Sequence, residues 1–250
     1  MTKFILFFCL IFGSAFLFAE VDMETLPQKK TLLVLSSTGG GGHIAATSTL
    51  QKLVGEEYEI KIVYPINQLR IWGVPSCEQV YNSMLRTGWV RSMNFIVRHV
   101  APPIFRSRVR KLEKIITSYI NTYQPDLVIS VIPFVNYPAS EAARKKEIPF
   151  LLITTDNDLR NWAFQMEKIR HPQFKVTISA DLAMTRDLLK KKKIPESAIE
   201  TIGLPLRPDF MSQKDQQKIL RELHLPEQKE ILLIMMGAAS GFGWRAQLRS

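Results

Sequence analysis

The stretch Leu32-Leu33-Val34-Leu35-Ser36-Ser37-Thr38-Gly39-Gly40-Gly41-Gly42-His43 passes from apolar, β-prone residues into four glycines and a histidine. Ala45, Ala46, Leu50, Leu53 and Val54 then recur at helical spacing, so the stretch predicts strand, tight loop and helix. Glycines at such a junction leave backbone N–H groups uncovered at a helix N-terminus, where the macrodipole favours phosphate or a developing oxyanion. His43 stands at the mouth of that nest. An imidazole takes a hydroxyl proton near neutral pH, which makes His43 the candidate general base. The loop lacks the Gly-Lys-Ser/Thr ending of a Walker phosphate loop, and Ile44 replaces the third glycine of a dinucleotide fingerprint. A glycine-rich turn with a helix-capping histidine is the blander alternative.

Outward from this unit, Glu59 to Tyr64 predicts a second strand ended by Pro65, and Leu127 to Ile132, Phe150 to Thr154 and Lys175 to Ser179 predict three more. Glu200 to Ile202 makes a short one. The apolar runs are separated by helical patterns, including Tyr137 to Lys146, Asp181 to Lys190 and Lys214 to Leu223. Continuous apolar strands alternating with helices imply an α/β, Rossmann-like fold, with a mostly parallel sheet covered by helices on both faces. Ligands of such sheets gather outside the carboxyl ends of the strands. Three loops therefore open on one side: Thr38 to His43, Pro133 to Tyr137 and Thr155 to Trp162. They supply Gly39, Gly40, Gly41, Gly42, Asn136 and Trp162 as candidate substrate-binding residues. Asp156, at a strand end, is expected to orient His43, to bind a sugar hydroxyl, or only to cap the next turn. His171 is read as a surface residue, and the Lys190 to Lys193 run as a solvated helix end.

The chain carries 33 Lys and Arg against 23 Asp and Glu, a net charge of +10, and 46% hydrophobic residues. That composition excludes disorder and implies an anionic partner. Between Arg86 and Lys114 lie eight basic residues, Arg86, Arg91, Arg98, Arg106, Arg108, Arg110, Lys111 and Lys114, against one acid, Glu113. Trp89, Phe95 and aliphatic residues interleave with them ahead of Pro102 and Pro103, after which a second helical stretch runs to Tyr123. Such a surface suits anionic lipid; a pair of amphipathic helices with basic outer faces is the alternative. No nucleic-acid module pattern appears. Cys9 and Cys77 form no disulfide framework, and no metal-ligand spacing is present.

Residues 1–22 hold the apolar run Phe4 to Ala19, which predicts a secretory leader, a short anchor, or a start in fact at Met23. At the other end, Glu230 to Met236 predicts a buried strand leading into a second glycine-rich loop with Gly237, Gly241 and Gly243. One strand makes no stable sheet alone, so the expectation is a first domain over 31–205 followed, over 206–250, by a hinge and the opening of a second that is cut short.

Three segments together resemble the monogalactosyldiacylglycerol synthase and processive diacylglycerol glucosyltransferase group of glycosyltransferase family 28. They are the Ser36 to His43 loop, Thr154-Thr155-Asp156 followed by Trp162, and Gly203-Leu204-Pro205-Leu206-Arg207-Pro208-Asp209-Phe210. The group usually places a histidine shortly before the tryptophan; here Asp158, Leu159, Arg160 and Asn161 stand there instead, with Arg160 a candidate substitute. The resemblance implies the N-terminal, acceptor-binding half of a GT-B enzyme. It further implies inverting transfer of a hexose from a UDP-sugar to diacylglycerol; the cytosolic pool of nucleotide sugar then places the reaction at the cytoplasmic membrane face, and with no metal constellation in the sequence no metal or cofactor is expected. His43 and Asp156 would be catalytic, the Gly39 to Gly42 amides would face the diphosphate, and Gly237, Gly241 and Gly243 would bind the donor. A lipid-linked muramyl peptide transferase, a nucleotide-sugar epimerase, and a non-catalytic peripheral membrane protein are the rival readings.

Overall fold

The computed structural model describes residues 29–39, 41–69, 76–210, 212–226 and 229–231. The expected leader, Gly40, and the last strand with Gly237, Gly241 and Gly243 lie outside the described residues. A six-stranded sheet organises the chain, with every neighbouring pair parallel and the order β2-β1-β3-β4-β5-β6. The strands are β1 (Thr31–Leu35), β2 (Glu59–Val63), β3 (Leu127–Ser130), β4 (Phe150–Ile153), β5 (Phe174–Ile178) and β6 (Ile199–Thr201). Leu32, Leu33, Val34 and Leu35 are consecutive and all buried. Successive strand residues point to opposite faces, so this run is covered on both sides, as its unbroken hydrophobicity requires.

The helices are α1 (Gly41–Val54), α2 (Cys77–Arg86), α3 (Val90–Phe95), α4 (Ala101–Ser107), α5 (Val109–Tyr123), α6 (Asn136–Arg144), α7 (Ala183–Lys191) and α8 (Gln216–Glu222). On α5, Leu112, Ile116 and Ile120 repeat every four residues and form a buried stripe against the sheet and α6. The stripe expected on α1 is narrower than its sequence implies. Ala46 is fully buried and Leu50 and Val54 pack against the core, but Leu53 stands out in solvent.

Pro102 and Pro103 do not separate two helices. They occupy the first turn of α4, and a π-helical turn, Ile96–Val100, joins α3 to it. Prolines at these positions offer no N–H to the preceding carbonyls; the helix widens, and the Ala101 N–H reaches back five residues to the Ile96 carbonyl. The break falls instead at Arg108, between α4 and α5. His171, read as a surface residue, is buried: its Nε2 hydrogen-bonds the Ile148 carbonyl at 2.8 Å, and its Nδ1 accepts from the Gln173 N–H at 3.0 Å. The imidazole thus ties the entries of β4 and β5 together.

Candidate active site

The strand order reverses between β1 and β3, and in open parallel sheets the crevice beyond such a switch point is where ligands bind. The Val131 N–H donates to the Leu35 carbonyl at 3.0 Å, holding the two strand exits side by side. From one exit the chain enters the glycine loop and α1, whose third residue is His43. From the other comes the Val131 carbonyl, 2.6 Å from His43 Nδ1. A carbonyl oxygen only accepts, so Nδ1 carries the proton and Nε2 keeps its lone pair. Burial lowers the imidazole pKa below its usual value; the Val131 hydrogen bond and the carboxylates of Asp156 and Glu78 oppose that shift without cancelling it. His43 is therefore neutral at pH 7 and able to accept a proton.

The loop after β4 completes the floor. Thr154 Oγ1 donates to the Thr177 carbonyl at 2.7 Å, fixing the strand end, and Thr155 Oγ1 lies 3.5 Å from His43 Nδ1. Asp156 does not bond to His43. Its Oδ2 accepts the Trp162 indole N–H at 2.8 Å, while the Trp162 ring packs 5.9 Å from the imidazole, tilted by 60°. Asp156 thus acts on His43 through its charge and through the tryptophan it anchors. Trp162 is 1% exposed and Asn136 fully buried, which removes both from the residues that touch a ligand directly. Asn136 accepts from Ser130 Oγ–H at 3.0 Å and donates to the Trp162 carbonyl at 3.1 Å, so both ends of its amide are spent holding the floor in place.

The glycine loop is held from below by a residue that the sequence reading did not single out. Glu78, in the first turn of α2, is buried, and its carboxylate accepts from Ser37 Oγ–H at 2.6 Å, from the Thr38 N–H at 3.1 Å and from the Thr38 hydroxyl. The Gly39 N–H goes to Ser37 Oγ at 2.9 Å. The Thr38 and Gly39 amides are therefore consumed inside the loop, a correction to the expectation that Gly39 faces a diphosphate. Among the described residues of the loop, the amides left over are those at the opening of α1, where Gly41, Gly42 and His43 supply the first N–H groups of a helix.

Beside the β4 loop opens a cleft of about 250 Å³, lined by Arg98, Pro102, Phe134, Asp158, Arg160 and Phe164. Phe134 holds a left-handed backbone, φ +68°, and is packed between Phe105 and Phe164, with centroids 5.0 and 5.5 Å away. Strain of this kind in a non-glycine residue persists only where packing enforces it. Arg160, the candidate for the missing histidine, forks onto Asp158 through Nε at 2.8 and 2.9 Å, and that guanidinium holds the Asp158 carboxyl below the usual range. Arg86, Arg91, Arg98, Arg106, Arg108 and Arg110 are exposed along α2 to α5, and Trp89 is 64% exposed.

Residues 43–206 match the family described as Monogalactosyldiacylglycerol (MGDG) synthase, beginning on the candidate base itself. The chain is 24% identical over 235 residues to Monogalactosyldiacylglycerol synthase 1, chloroplastic, of Arabidopsis thaliana, covering 88% of this chain and 42% of that protein. It is 24% identical over 217 residues to the Processive diacylglycerol beta-glucosyltransferase of Bacillus licheniformis, covering 84% of this chain and 54% of the relative. A looser likeness is to the crystal structure of Acinetobacter baumannii MurG, at TM-score 0.41 and 14% identity, over 76% of this chain and 47% of that one. The chain spans roughly half the length of the curated relatives it matches. With that match running from the glycine-loop histidine to the segment after β6, the chain belongs to the monogalactosyldiacylglycerol synthase family.

Proposed function

We propose that the chain is the acceptor-binding part of an inverting hexosyltransferase that joins a hexose from a UDP-sugar to the hydroxyl of diacylglycerol. The observation that carries this reading is the 2.6 Å bond from His43 Nδ1–H to the Val131 carbonyl, which leaves Nε2 of the neutral ring with its lone pair, on a residue just beyond the strand switch point. In the reaction the diacylglycerol oxygen attacks the anomeric carbon as its proton passes to His43 Nε2. The bond from that carbon to the diphosphate oxygen breaks on the opposite side, inverting the centre, and the UDP carries away the electron pair. The opening turn of α1 faces the growing negative charge with N–H groups and the positive end of its dipole.

The acceptor is a membrane lipid, and the exposed arginines of α2 to α5 with Trp89 are the surface proposed to lie on an anionic bilayer at the cytoplasmic face. No helix among the described residues is long and apolar enough to cross a membrane. The test supplies a complete enzyme that carries this chain with vesicles of diacylglycerol and anionic phospholipid and with labelled UDP-glucose or UDP-galactose. The reading expects label in a glycolipid, and expects His43→Ala to cut turnover by about a hundredfold or more while vesicle binding persists. Vesicle binding without any transfer would favour a non-catalytic lipid-binding role, and label in a muramyl lipid would reassign the acceptor.

A further inference from the structure

We propose that Glu78 is a positioning residue, locking the glycine loop in the one conformation that delivers His43 to the Val131 carbonyl. The inference rests on the reading of His43 as proton acceptor. Three donors from two consecutive loop residues converge on the Glu78 carboxylate: Ser37 O–H, Thr38 N–H and Thr38 O–H. One turn further along α2, Asn82 Nδ2 donates to the Thr38 carbonyl at 3.1 Å, so residues of one helix face grip Thr38 at both its N–H and its C=O. The loop is tied to α1 as well. Ser36 Oγ shares a 2.8 Å bond with Thr47 Oγ1, which donates to the His43 carbonyl at 2.8 Å. Joined through the Ser36–Ser37 peptide, these hydrogen bonds connect α2 to the backbone of His43.

The chemistry explains why a carboxylate is needed at this place. A carboxylate accepts at both oxygens, whereas glutamine offers one acceptor and turns an N–H₂ toward a donor. A buried acid beneath an anion-facing loop works against the ligand, so its presence marks a requirement for loop geometry. Its negative charge has a second effect. With Asp156 on the β4 loop, Glu78 is one of the two carboxylates whose fields favour the protonated imidazole and partly offset burial. The remaining groups against the ring, Val131, Thr155 and Trp162, carry no charge.

The experiment follows His43 by ¹⁵N NMR across pH in the full chain as wild type, Glu78→Gln and Glu78→Ala, alongside transfer kinetics of a complete enzyme carrying the same substitutions. Glu78→Gln, which preserves shape, is expected to move the His43 titration to lower pH and to lower kcat about tenfold, with the KM for the sugar donor unchanged. Glu78→Ala is expected to erase the Nδ1–H signal of the bond to Val131 as the loop loses its anchor. Should Glu78→Ala not fold, a double-mutant cycle of Glu78→Gln with Thr38→Val replaces it and is expected to be non-additive in kcat. A His43 titration unmoved by Glu78→Gln, or an Nδ1–H signal intact in Glu78→Ala, overturns the proposal. The NMR readouts need no substrate. Normal NMR shifts in the chain, with no sugar transferred by a complete enzyme that carries it, would therefore overturn the transferase reading and leave the positioning role standing.

Discussion

Truncating Asn136 to alanine removes the joint between β3 and the tryptophan under His43, and its cost can be worked bond by bond. The Trp162 carbonyl belongs to a residue 1% exposed and loses the Nδ2 donor at 3.1 Å; leaving it unpaired costs about 1–3 kcal/mol. Ser130 Oγ loses its 3.0 Å acceptor but keeps the Ile132 carbonyl at 3.2 Å, so that side costs only about 0.5–1 kcal/mol. The expected loss is about 1.5–4 kcal/mol, or a fall in melting temperature of about 6–12 °C for a midpoint of about 3 kcal/mol in a domain of this size. Urea unfolding followed by tryptophan fluorescence measures it, with Asn121→Ala on the exposed side of α5 as a control expected within about 0.5 kcal/mol of wild type. Because Trp162 packs on the imidazole, Asn136→Ala is also expected to reduce turnover more than it weakens vesicle binding. An Asn136→Ala protein as stable as the control would refute the claim that this buried amide supports the site.

Two glycines of the loop are expected to differ in their tolerance of a methyl group. A Cβ at Gly39 would come within 3.2 Å of the pinned Ser37 Oγ and 3.5 Å of Glu78 Cγ, so Gly39→Ala should destabilise by about 1 kcal/mol or more; at Gly42 the nearest atom is Thr155 Oγ1 at 3.5 Å, and Gly42→Ala should be neutral or stabilising in urea titrations. The pH dependence of stability follows from His43. Its pKa is lowered in the fold, so the unfolded chain binds the extra proton first; the contribution is intact above about 6.5 and is lost as pH falls toward the folded value. Urea midpoints at pH 7.5 and 5.5 should therefore drop less in His43→Asn than in wild type. Replacing Arg91, Arg98 and Arg106 together by glutamine should weaken binding to anionic vesicles by about a hundredfold at low salt, in co-sedimentation, with the difference shrinking as salt rises.

The sheet was legible because the segments of β1, β3 and β4 are nearly continuous apolar runs, the pattern of parallel strands covered on both faces. The gathering of His43, Asp156 and Trp162 followed from that topology, since all three stand just beyond strand ends that must share one edge. What was not legible has specific causes. The partner of His43 is a backbone carbonyl, at Val131, and a main-chain atom leaves no letter in the sequence. Glu78 reads as an ordinary acid in a first helical turn after the Ser76 cap, and only the fold reveals that it points inward at Ser37 and Thr38. Asn136 was read as part of the loop Pro133 to Tyr137, whereas it opens α6, and nothing in its spacing tells whether an amide at a strand exit faces the ligand side or the core beneath it. Pro102 and Pro103 looked like a break because proline usually ends a helix, whereas here a widened turn before them supplies the missing backbone bond.

The proposed chemistry turns on the state of one imidazole. The most direct measurement is the tautomer and titration of His43 in the wild-type chain, by long-range ¹H–¹⁵N correlation on ¹⁵N-histidine-labelled protein with His43→Asn for assignment. The account predicts a neutral ring at pH 7 with the proton on Nδ1, an unprotonated Nε2, and a titration midpoint below the usual 6.5. A proton on Nε2, or a midpoint above 6.5, would contradict it, because His43 would then present an N–H or a cation where the mechanism requires a base.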